Sequence, residues 1–324
     1  MTQDHETQGP VVVYVMGYGR SGSTLLDTIL NNHPSVTSVG EVANLPDWVS
    51  REHPCACGAL LESCTFWGPV LDRYRRAMGS EALEELERCQ TRVERAPLYR
   101  RSDAVSQRYG ELTNALFHAI RKVSGSTVIV DSSKSSRRAI GRPYALTAHA
   151  GLDLRPIFLR RDGRGVMWSG MRGAGSPEWE SSRLPRSLIG LRTLLAWVYT
   201  NRRCERVIRG LSHSALPLWY EDLVSDTEAQ LRRLGAFLDL DLSGVAQRIG
   251  RGEALAVAHN VSGNRLRYQR QVRIQPDREW ESHLPMLHRW AYRLAPYRRP
   301  APRSEGSTEG WKGPSSRHPA GSSS

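Results

Sequence analysis

Lysine is scarce in this chain of 324 residues, although the formal net charge is +12. Lys122, Lys134 and Lys312 are its three lysines, so arginine supplies almost all of the 45 basic residues. Arginine is suited to bidentate recognition of anions. The charge therefore fits a polyanionic small ligand, a nucleic acid or an acidic membrane surface, and does not by itself distinguish among them.

Long apolar runs and a dense set of cysteines are also missing. No run approaches the ~20 apolar residues that cross a bilayer. The first ten residues, MTQDHETQGP, are polar, whereas a signal peptide has a basic region followed by an apolar one. They do not resemble a signal peptide, so we expect a cytoplasmic protein without a membrane span. The cysteines are too few and odd in number for a disulfide framework; they are Cys55, Cys57, Cys64, Cys89 and Cys204.

Apolar, β-branched runs alternate along the chain with segments of helical periodicity. The runs are VVVYVM (11–16), STVIVD (126–131), IFL (157–159) and ALPLWY (215–220). Continuous apolar runs of this length are typical of buried strands. The alternation predicts an α/β fold with a doubly wound parallel sheet flanked by helices, in a single domain over 10–299. The polar ends, 1–9 and 300–324, are expected to be disordered.

The segment GYGRSGST (17–24) lies between the first predicted strand and a predicted helix. Gly17 and Gly22 have the G-x-x-x-x-G spacing of a P-loop, so the sheet is expected to be P-loop-like. Such glycines let successive N–H groups point at an anion, and the helix N-terminus adds its dipole. Ser23 stands where a Walker A loop has lysine, and the basic residue is Arg20 instead. The loop is therefore suited to bind a phosphate, and the missing Walker A lysine argues against a nucleotide triphosphatase.

GYGRSGSTLL resembles the 5′-phosphosulfate loop of sulfotransferases that use 3′-phosphoadenosine-5′-phosphosulfate (PAPS) as donor. RDGRGVMWS resembles the 3′-phosphate site of the same family, an arginine at the end of a strand with a serine eight residues later. HNVSGNRLRY resembles the G-N-x-x-R element of bacterial members, although Arg265 stands where proline is frequent. The resemblance implies donor-binding roles for Gly19, Arg20, Ser21, Gly22, Ser23, Thr24, Arg161, Ser169, Gly263, Asn264 and Arg267.

The catalytic residues are also assigned from the resemblance. NNHPSVTSVGEVANLP resembles the tyrosylprotein-sulfotransferase branch, in which a glutamate is the base, and this implies that role for Glu41. His259 is the rival base, because other sulfotransferases use histidine. Lys134 follows a predicted strand in DSSK, where family members often carry a lysine. Arg20 and Lys134 would stabilise the charge that grows on the leaving nucleotide.

The resemblance implies that no metal is required for transfer, since a sulfuryl group carries less charge than a γ-phosphoryl group. The segment HPCACGALLESC nevertheless offers His53, Cys55, Cys57 and Cys64 as a possible Cys3His zinc site. Its C-x-C spacing is tighter than usual, and similar stretches followed by FW occur in bacterial sulfotransferases. We expect reduced thiols or a local disulfide here in preference to zinc.

The sequence as a whole predicts an enzyme that transfers a sulfuryl group from PAPS to a hydroxyl of a small molecule or glycan. A tyrosine acceptor is open through the branch resemblance, but that branch works in a lumen and this chain shows no secretory anchor. The alternatives are a P-loop kinase or NTPase and a basic nucleic-acid-binding protein. The missing Walker lysine argues against the first, and the scattered arginines argue against a nucleic-acid partner.

Overall fold

The computed structural model describes residues 9–95, 102–134, 139–173, 184–211 and 215–299. Its main sheet has five parallel strands in the order β2-β3-β1-β4-β5. These are β1 (Val11–Met16), β2 (Val36–Gly40), β3 (Val128–Asp131), β4 (Asp153–Arg160) and β5 (Leu216–Trp219). The predicted α/β fold with a parallel sheet in a single domain is confirmed. Apart from Gly9, the predicted disordered ends lie outside the described residues.

Helices connect the strands and cover the sheet. In chain order they are α1 (Ser23–Asn31), α2 (Leu45–Ser50), α3 (Trp67–Met78), α4 (Ala82–Val93), α5 (Ala104–Ser124), α6 (Arg142–Ala148), α7 (Gly163–Met171), α8 (Arg186–Arg209), α9 (Tyr220–Ser225), α10 (Thr227–Leu238), α11 (Ser243–Gly250), α12 (Glu279–His283) and α13 (Met286–Leu294). A short antiparallel pair, β6 (Leu255–Ala256) and β7 (Gln271–Val272), lies apart from the main sheet. None of the helices in the described ranges is both long and apolar enough to cross a membrane.

Strand β1 shows why the sheet is doubly wound. Its side chains alternate between two hydrophobic clusters, with Val12, Tyr14 and Met16 in one and Val13 and Val15 in the other. Successive residues of a strand point to opposite faces, so a strand covered on both faces must be apolar throughout. VVVYVM meets this requirement, and β1 therefore occupies the centre of the sheet.

Two local details differ from the sequence prediction. Strand β2, with the sequence VTSVG, was not predicted, because it is short and mixes polar with apolar residues. It forms one edge of the sheet. Tyr220 was predicted to end a strand, but β5 ends at Trp219 and Tyr220 begins helix α9.

The topology brings four strand ends to one edge of the sheet. Because all five strands are parallel, the residues that follow them lie at the same side. The glycine loop follows β1, Glu41 follows β2, Lys134 comes three residues after β3, and Arg161 follows β4. Ligands of such sheets bind at this edge, next to the central strand where the strand order reverses.

Candidate active site

The glycine loop, residues 17–24, makes a tight concave turn before helix α1. Gly22 caps the helix in the left-handed region, at φ 92°. A Cβ at Gly22 would lie 2.5 Å from the ring of Tyr220, so only glycine fits. The side chains of Ser21, Ser23 and Thr24 are buried, and the Ser21 hydroxyl has no hydrogen-bond partner among the described residues. The loop therefore presents a buried hydroxyl beside a helix N-terminus, where an anion is favoured.

Arg161, at the end of β4, lies against this loop. Its Nη1 donates a long hydrogen bond to the backbone oxygen of Arg20, at 3.4 Å. Its guanidinium is 4.5 Å from the ring centre of Tyr220 and forms an ion pair with Asp277 at 3.0 Å. Arg161 is buried, yet its Nε has no partner among the described residues. The side chain is thus held in place, with the Nε donor unsatisfied among the described residues.

Helix α7 brings Ser169 to the same side as Arg161. A Cβ added at Gly165 would lie 3.0 Å from the Arg161 Nε, so the guanidinium lies directly against this helix. Ser169 follows Gly165 by four residues, on the same face of the helix, and is buried. Asp162 caps the helix by accepting a hydrogen bond from the Arg164 amide at 2.8 Å. Arg161 and Ser169 therefore belong to one connection, which leads from the end of β4 into helix α7.

Glu41 and Lys134 form an ion pair between the ends of β2 and β3. Both side chains are 16% exposed. The other carboxylate oxygen of Glu41 accepts hydrogen bonds from Asn44 Nδ2 at 3.1 Å and Ser262 Oγ at 3.3 Å. The backbone oxygen of Lys134 accepts from the Tyr14 hydroxyl at 2.9 Å. A carboxylate and an ammonium group are therefore held together, partly exposed, at the ligand-binding edge.

The segment 259–268 returns to this edge from the far end of the chain. Val261 pairs with Gly40, and the backbone amide of Glu41 donates to the Val261 oxygen at 2.8 Å. The backbone amide of Asn264 then donates to Thr24 Oγ1 at 3.3 Å. The segment thus connects the end of β2 with the glycine loop.

Within this segment, Arg267 is buried between two aromatic rings. Its guanidinium is 4.9 Å from the ring centre of Trp48 and 4.4 Å from that of Tyr268. Its Nε and Nη1 have no partner among the described residues. A buried guanidinium with unpaired donors is costly unless an anion satisfies it.

Backbone conformation also marks this edge. Arg20, Lys134 and Ser262 have φ of 69°, 62° and 55°. Two other described residues that are not glycine, Glu52 and Asp239, share the left-handed region. Residues with a Cβ rarely adopt this backbone conformation, and those that do are concentrated at functional sites. Two of the five, Arg20 and Lys134, lie in the loops after β1 and β3, and Ser262 lies in the segment 259–268 that contacts this edge.

Asp27 is a buried carboxyl group beneath the site that the sequence did not suggest. It lies on α1, and its Oδ2 accepts a hydrogen bond from Ser132 Oγ at 2.6 Å. Burial raises the pKa of Asp27 to about 7, although the Ser132 hydroxyl and the nearby Lys134 act in the opposite direction. No sequence pattern indicated this role, because Asp27 lies among the apolar residues of α1.

The cysteines differ from their predicted arrangement in one residue. Cys55, Cys57, Cys64 and His259, which we call the Cys3His cluster, have ligand atoms that all lie within 4.8 Å of one another. His53 is not a member, because its ring packs on Trp48 at 4.4 Å between centres. The predicted fourth group was therefore wrong. Of the two alternatives expected for these cysteines, reduced thiols or a local disulfide, the structure agrees with the first, since all five cysteines are free.

The structure brings most of the predicted site residues to one edge of the sheet. Contacts join Arg20 to Arg161, Lys134 to Glu41, and Asn264 to Thr24. The supporting residues Asp277, Tyr220 and Ser262 were not predicted as site residues. Ser262 lies inside HNVSGNRLRY, which gave a local signal, whereas Asp277 is remote in sequence and gave none.

Comparison with known proteins identifies the kind of chain to which this site belongs. A model of the sulfotransferase family matches residues 10–244. No curated protein matches the chain.

Several solved structures are similar. The sulfotransferase domain of the olefin synthase of Synechococcus PCC 7002 is 18% identical, with a TM-score of 0.46, over 91% of this chain and 98% of that one. A sulfotransferase from Mycobacterium tuberculosis H37Rv is 16% identical, with a TM-score of 0.46, over 74% and 70%. The sulfotransferase domain from the curacin biosynthetic pathway is 20% identical, with a TM-score of 0.41, over 72% and 75%. None of these names the tyrosylprotein branch, so that detail stays a prediction.

Proposed function

Because this chain belongs to the sulfotransferase family, we propose that it moves a sulfuryl group from PAPS to a hydroxyl of a small molecule or glycan. The observation that carries the proposal is the contact between Arg161 and the backbone of Arg20. This contact joins the glycine loop to the arginine that we predict binds the 3′-phosphate. A single nucleotide with an anionic group at each end can then reach both.

Unpaired buried donors support a polyanionic ligand at this edge. They are the Ser21 hydroxyl, the Nε of Arg161, and the Nε and Nη1 of Arg267. Each costs free energy in the folded protein unless a ligand satisfies it, about 1–3 kcal/mol for a buried polar group. Ser21 would bind the phosphosulfate end, and Arg161 with Ser169 the 3′-phosphate. Gly263 and Asn264 would hold the nucleotide from the side of the returning segment.

The ion pair of Glu41 and Lys134 supports the proposed chemistry. As the acceptor oxygen bonds to sulfur, Glu41 would take the proton from the hydroxyl group. The bond between sulfur and the bridging oxygen breaks, and the electron pair leaves with the nucleotide as adenosine 3′,5′-bisphosphate (PAP). Lys134 and Arg20 would stabilise the charge on that oxygen more in the transition state than in the ground state. The transfer itself uses no metal.

The position of His259 favours Glu41 as the base. The Nδ1 of His259 is 3.2 Å from the sulfur of Cys64 and 3.8 Å from that of Cys55. This nitrogen therefore faces the thiols rather than the strand ends. Glu41 is held at the strand ends, next to the cation that the reaction needs.

Thermal stabilisation by nucleotides tests the donor. PAP is expected to raise the Tm at micromolar concentration without magnesium, since a ligand that binds only the folded state stabilises it. AMP, which lacks the 3′-phosphate, is the matched control and should stabilise the protein much less. If ATP or GTP with magnesium stabilises the protein more than PAP does, the proposal is wrong and a kinase or NTPase is favoured.

A further inference from the structure

The Cys3His cluster has the dimensions of a tetrahedral metal site. The sulfur of Cys64 is 3.7 Å from each of the other two sulfurs. The Nδ1 of His259 is 3.2 Å from Cys64 and 3.8 Å from Cys55. Bond lengths of about 2.3 Å to sulfur and about 2.0 Å to nitrogen place tetrahedral neighbours about 3.5–3.8 Å apart. A disulfide would need sulfurs about 2.05 Å apart.

We propose that Cys55, Cys57, Cys64 and His259 bind one structural Zn²⁺ ion. Three thiolates and an imidazole form a ligand set that favours zinc, whereas magnesium, calcium and manganese prefer oxygen. Four protein ligands close the coordination sphere and leave no position for a substrate. The ion is therefore a structural element and takes no part in sulfuryl transfer.

The backbone around Cys55 and Cys57 is already arranged for this role. The Cys55 amide donates to the Ala59 oxygen at 2.8 Å, and the Gly58 amide donates to the Cys55 oxygen at 2.9 Å. Gly58 has a φ of 91°, which a side chain would strain. This tight turn allows two cysteines separated by one residue to face the same point, which explains the C-x-C spacing.

The histidine ligand is oriented by aromatic neighbours. The indole Nε1 of Trp67 donates to the His259 backbone oxygen at 2.6 Å. The Phe66 ring stacks on the His259 ring, with centres 5.6 Å apart. Cys64 lies two residues before Phe66 and three before α3 begins at Trp67. Contacts that fix the ring of a ligating histidine are a regular part of metal sites.

The ion would join two segments that are distant in sequence. Cys64 and His259 are 195 residues apart. Two residues after His259, Val261 pairs with Gly40, and Asn264 then contacts Thr24. Zinc would therefore anchor the segment that lies against Glu41 and the glycine loop. Its loss should lower the Tm and loosen this segment.

Metal content and cobalt substitution test the site without any assay of transfer. We expect one zinc ion per chain in protein purified under reducing conditions and measured by mass spectrometry of the metals. The cobalt-substituted protein should show thiolate-to-cobalt charge transfer in the near ultraviolet and the strong visible bands of tetrahedral Co²⁺. Chelation should lower the Tm, because metal binding energy contributes to folding.

Two variants distinguish the ligands from the other cysteines. Cys57 is exposed, so Cys57→Ser leaves no void in the core. It should lose about one-third of the thiolate-to-cobalt band, because one of three thiolates is gone. Cys89→Ser lies outside the cluster and should keep both the zinc and the full band. Any of four results would overturn the proposal. They are wild-type protein without zinc and without a thiolate-to-cobalt band, iron in place of zinc, a disulfide among the three cysteines, and a Tm unchanged by metal removal.

Discussion

The guanidinium of Arg161 reaches the backbone oxygen of Arg20 at 3.4 Å, across 141 residues of sequence. This contact joins the end of β4 to the glycine loop that follows β1. Both strands are parallel neighbours, so their carboxyl ends must lie side by side. The ion pair with Asp277 and the Tyr220 ring hold the guanidinium in this position.

Arg161→Ala is expected to weaken PAP binding about 10- to 100-fold, the usual effect of losing a charged hydrogen-bonding partner. Isothermal titration calorimetry with PAP measures it. Arg155→Ala is the matched control, because Arg155 lies on the same strand and pairs with Asp153 near the surface. An unchanged Kd in Arg161→Ala would remove this residue from the donor site.

Glu41→Gln is expected to lower kcat about 10²- to 10⁴-fold, the range of a lost general base. The amide keeps the size of the side chain and can still accept from Asn44 and Ser262, so PAP affinity should be retained. PAP release from PAPS, measured with a panel of phenolic and sugar acceptors, follows the reaction. The exposed Glu52 provides the control variant Glu52→Gln. Full turnover in Glu41→Gln would assign the base elsewhere.

Gly22→Ala is expected to lower both the Tm and PAP affinity. The new Cβ would lie 2.5 Å from the Tyr220 ring, and the residue would keep a φ of 92°. Tyr220 cannot easily move, because its hydroxyl accepts from the Asp277 amide at 3.1 Å. We expect a loss of about 1–3 kcal/mol in the free energy of unfolding, measured by urea unfolding.

Gly244→Ala is the control for this loop variant. Gly244 lies in helix α11, and a Cβ there would contact nothing within 4 Å. Alanine in a helix interior is favoured over glycine by about 0.5–1 kcal/mol, so the Tm should stay or rise. Equal stability of the two variants would contradict the strained geometry assigned to Gly22.

Asp27→Asn is expected to change the pH dependence of stability. Burial raises the pKa of Asp27 to about 7 in the folded protein, so the folded state holds this proton more tightly than the unfolded state. Asp27 therefore stabilises the protein most at acid pH, and this contribution is lost as the pH rises towards 7. The stability of wild type relative to Asp27→Asn should fall by as much as about 4 kcal/mol from pH ~4 to pH ~8.

Urea unfolding of both proteins across this pH range measures the difference. The other titrating groups are common to the two chains, so their effects cancel in the comparison. A difference that stays constant from acid to alkaline pH would show that Asp27 has an ordinary pKa.

Much of the fold followed from local sequence signals. The runs that became β1, β3 and β4 were continuous and apolar because these strands are buried on both faces. Asp226 caps α10 by accepting from the Ala229 amide at 3.2 Å, as is usual for an aspartate directly before a helix. Strand β2 gave no such signal, because its pairing with β3 and Val261 rather than its composition makes it a strand.

The site was predictable where its residues follow strands and less so where they come from elsewhere. Arg20, Glu41, Lys134 and Arg161 were assigned from the family resemblance, and the parallel strand ends explain why they lie together, although Glu41 follows β2, which the sequence did not predict. His259 was considered as a base, but the fold turns its Nδ1 towards three thiols. Cys64 and His259 are 195 residues apart in sequence, so no local pattern can predict this contact.

The pairing of Val261 with Gly40 has a consequence for how the protein is made. During synthesis, all five strands have left the ribosome once Trp219 has emerged, and domains generally fold as units as they appear. The residues that cover Glu41 and Thr24 emerge only afterwards. Because this segment belongs to the same domain as the sheet, the proposed nucleotide site can be complete only after Asn264 has also emerged.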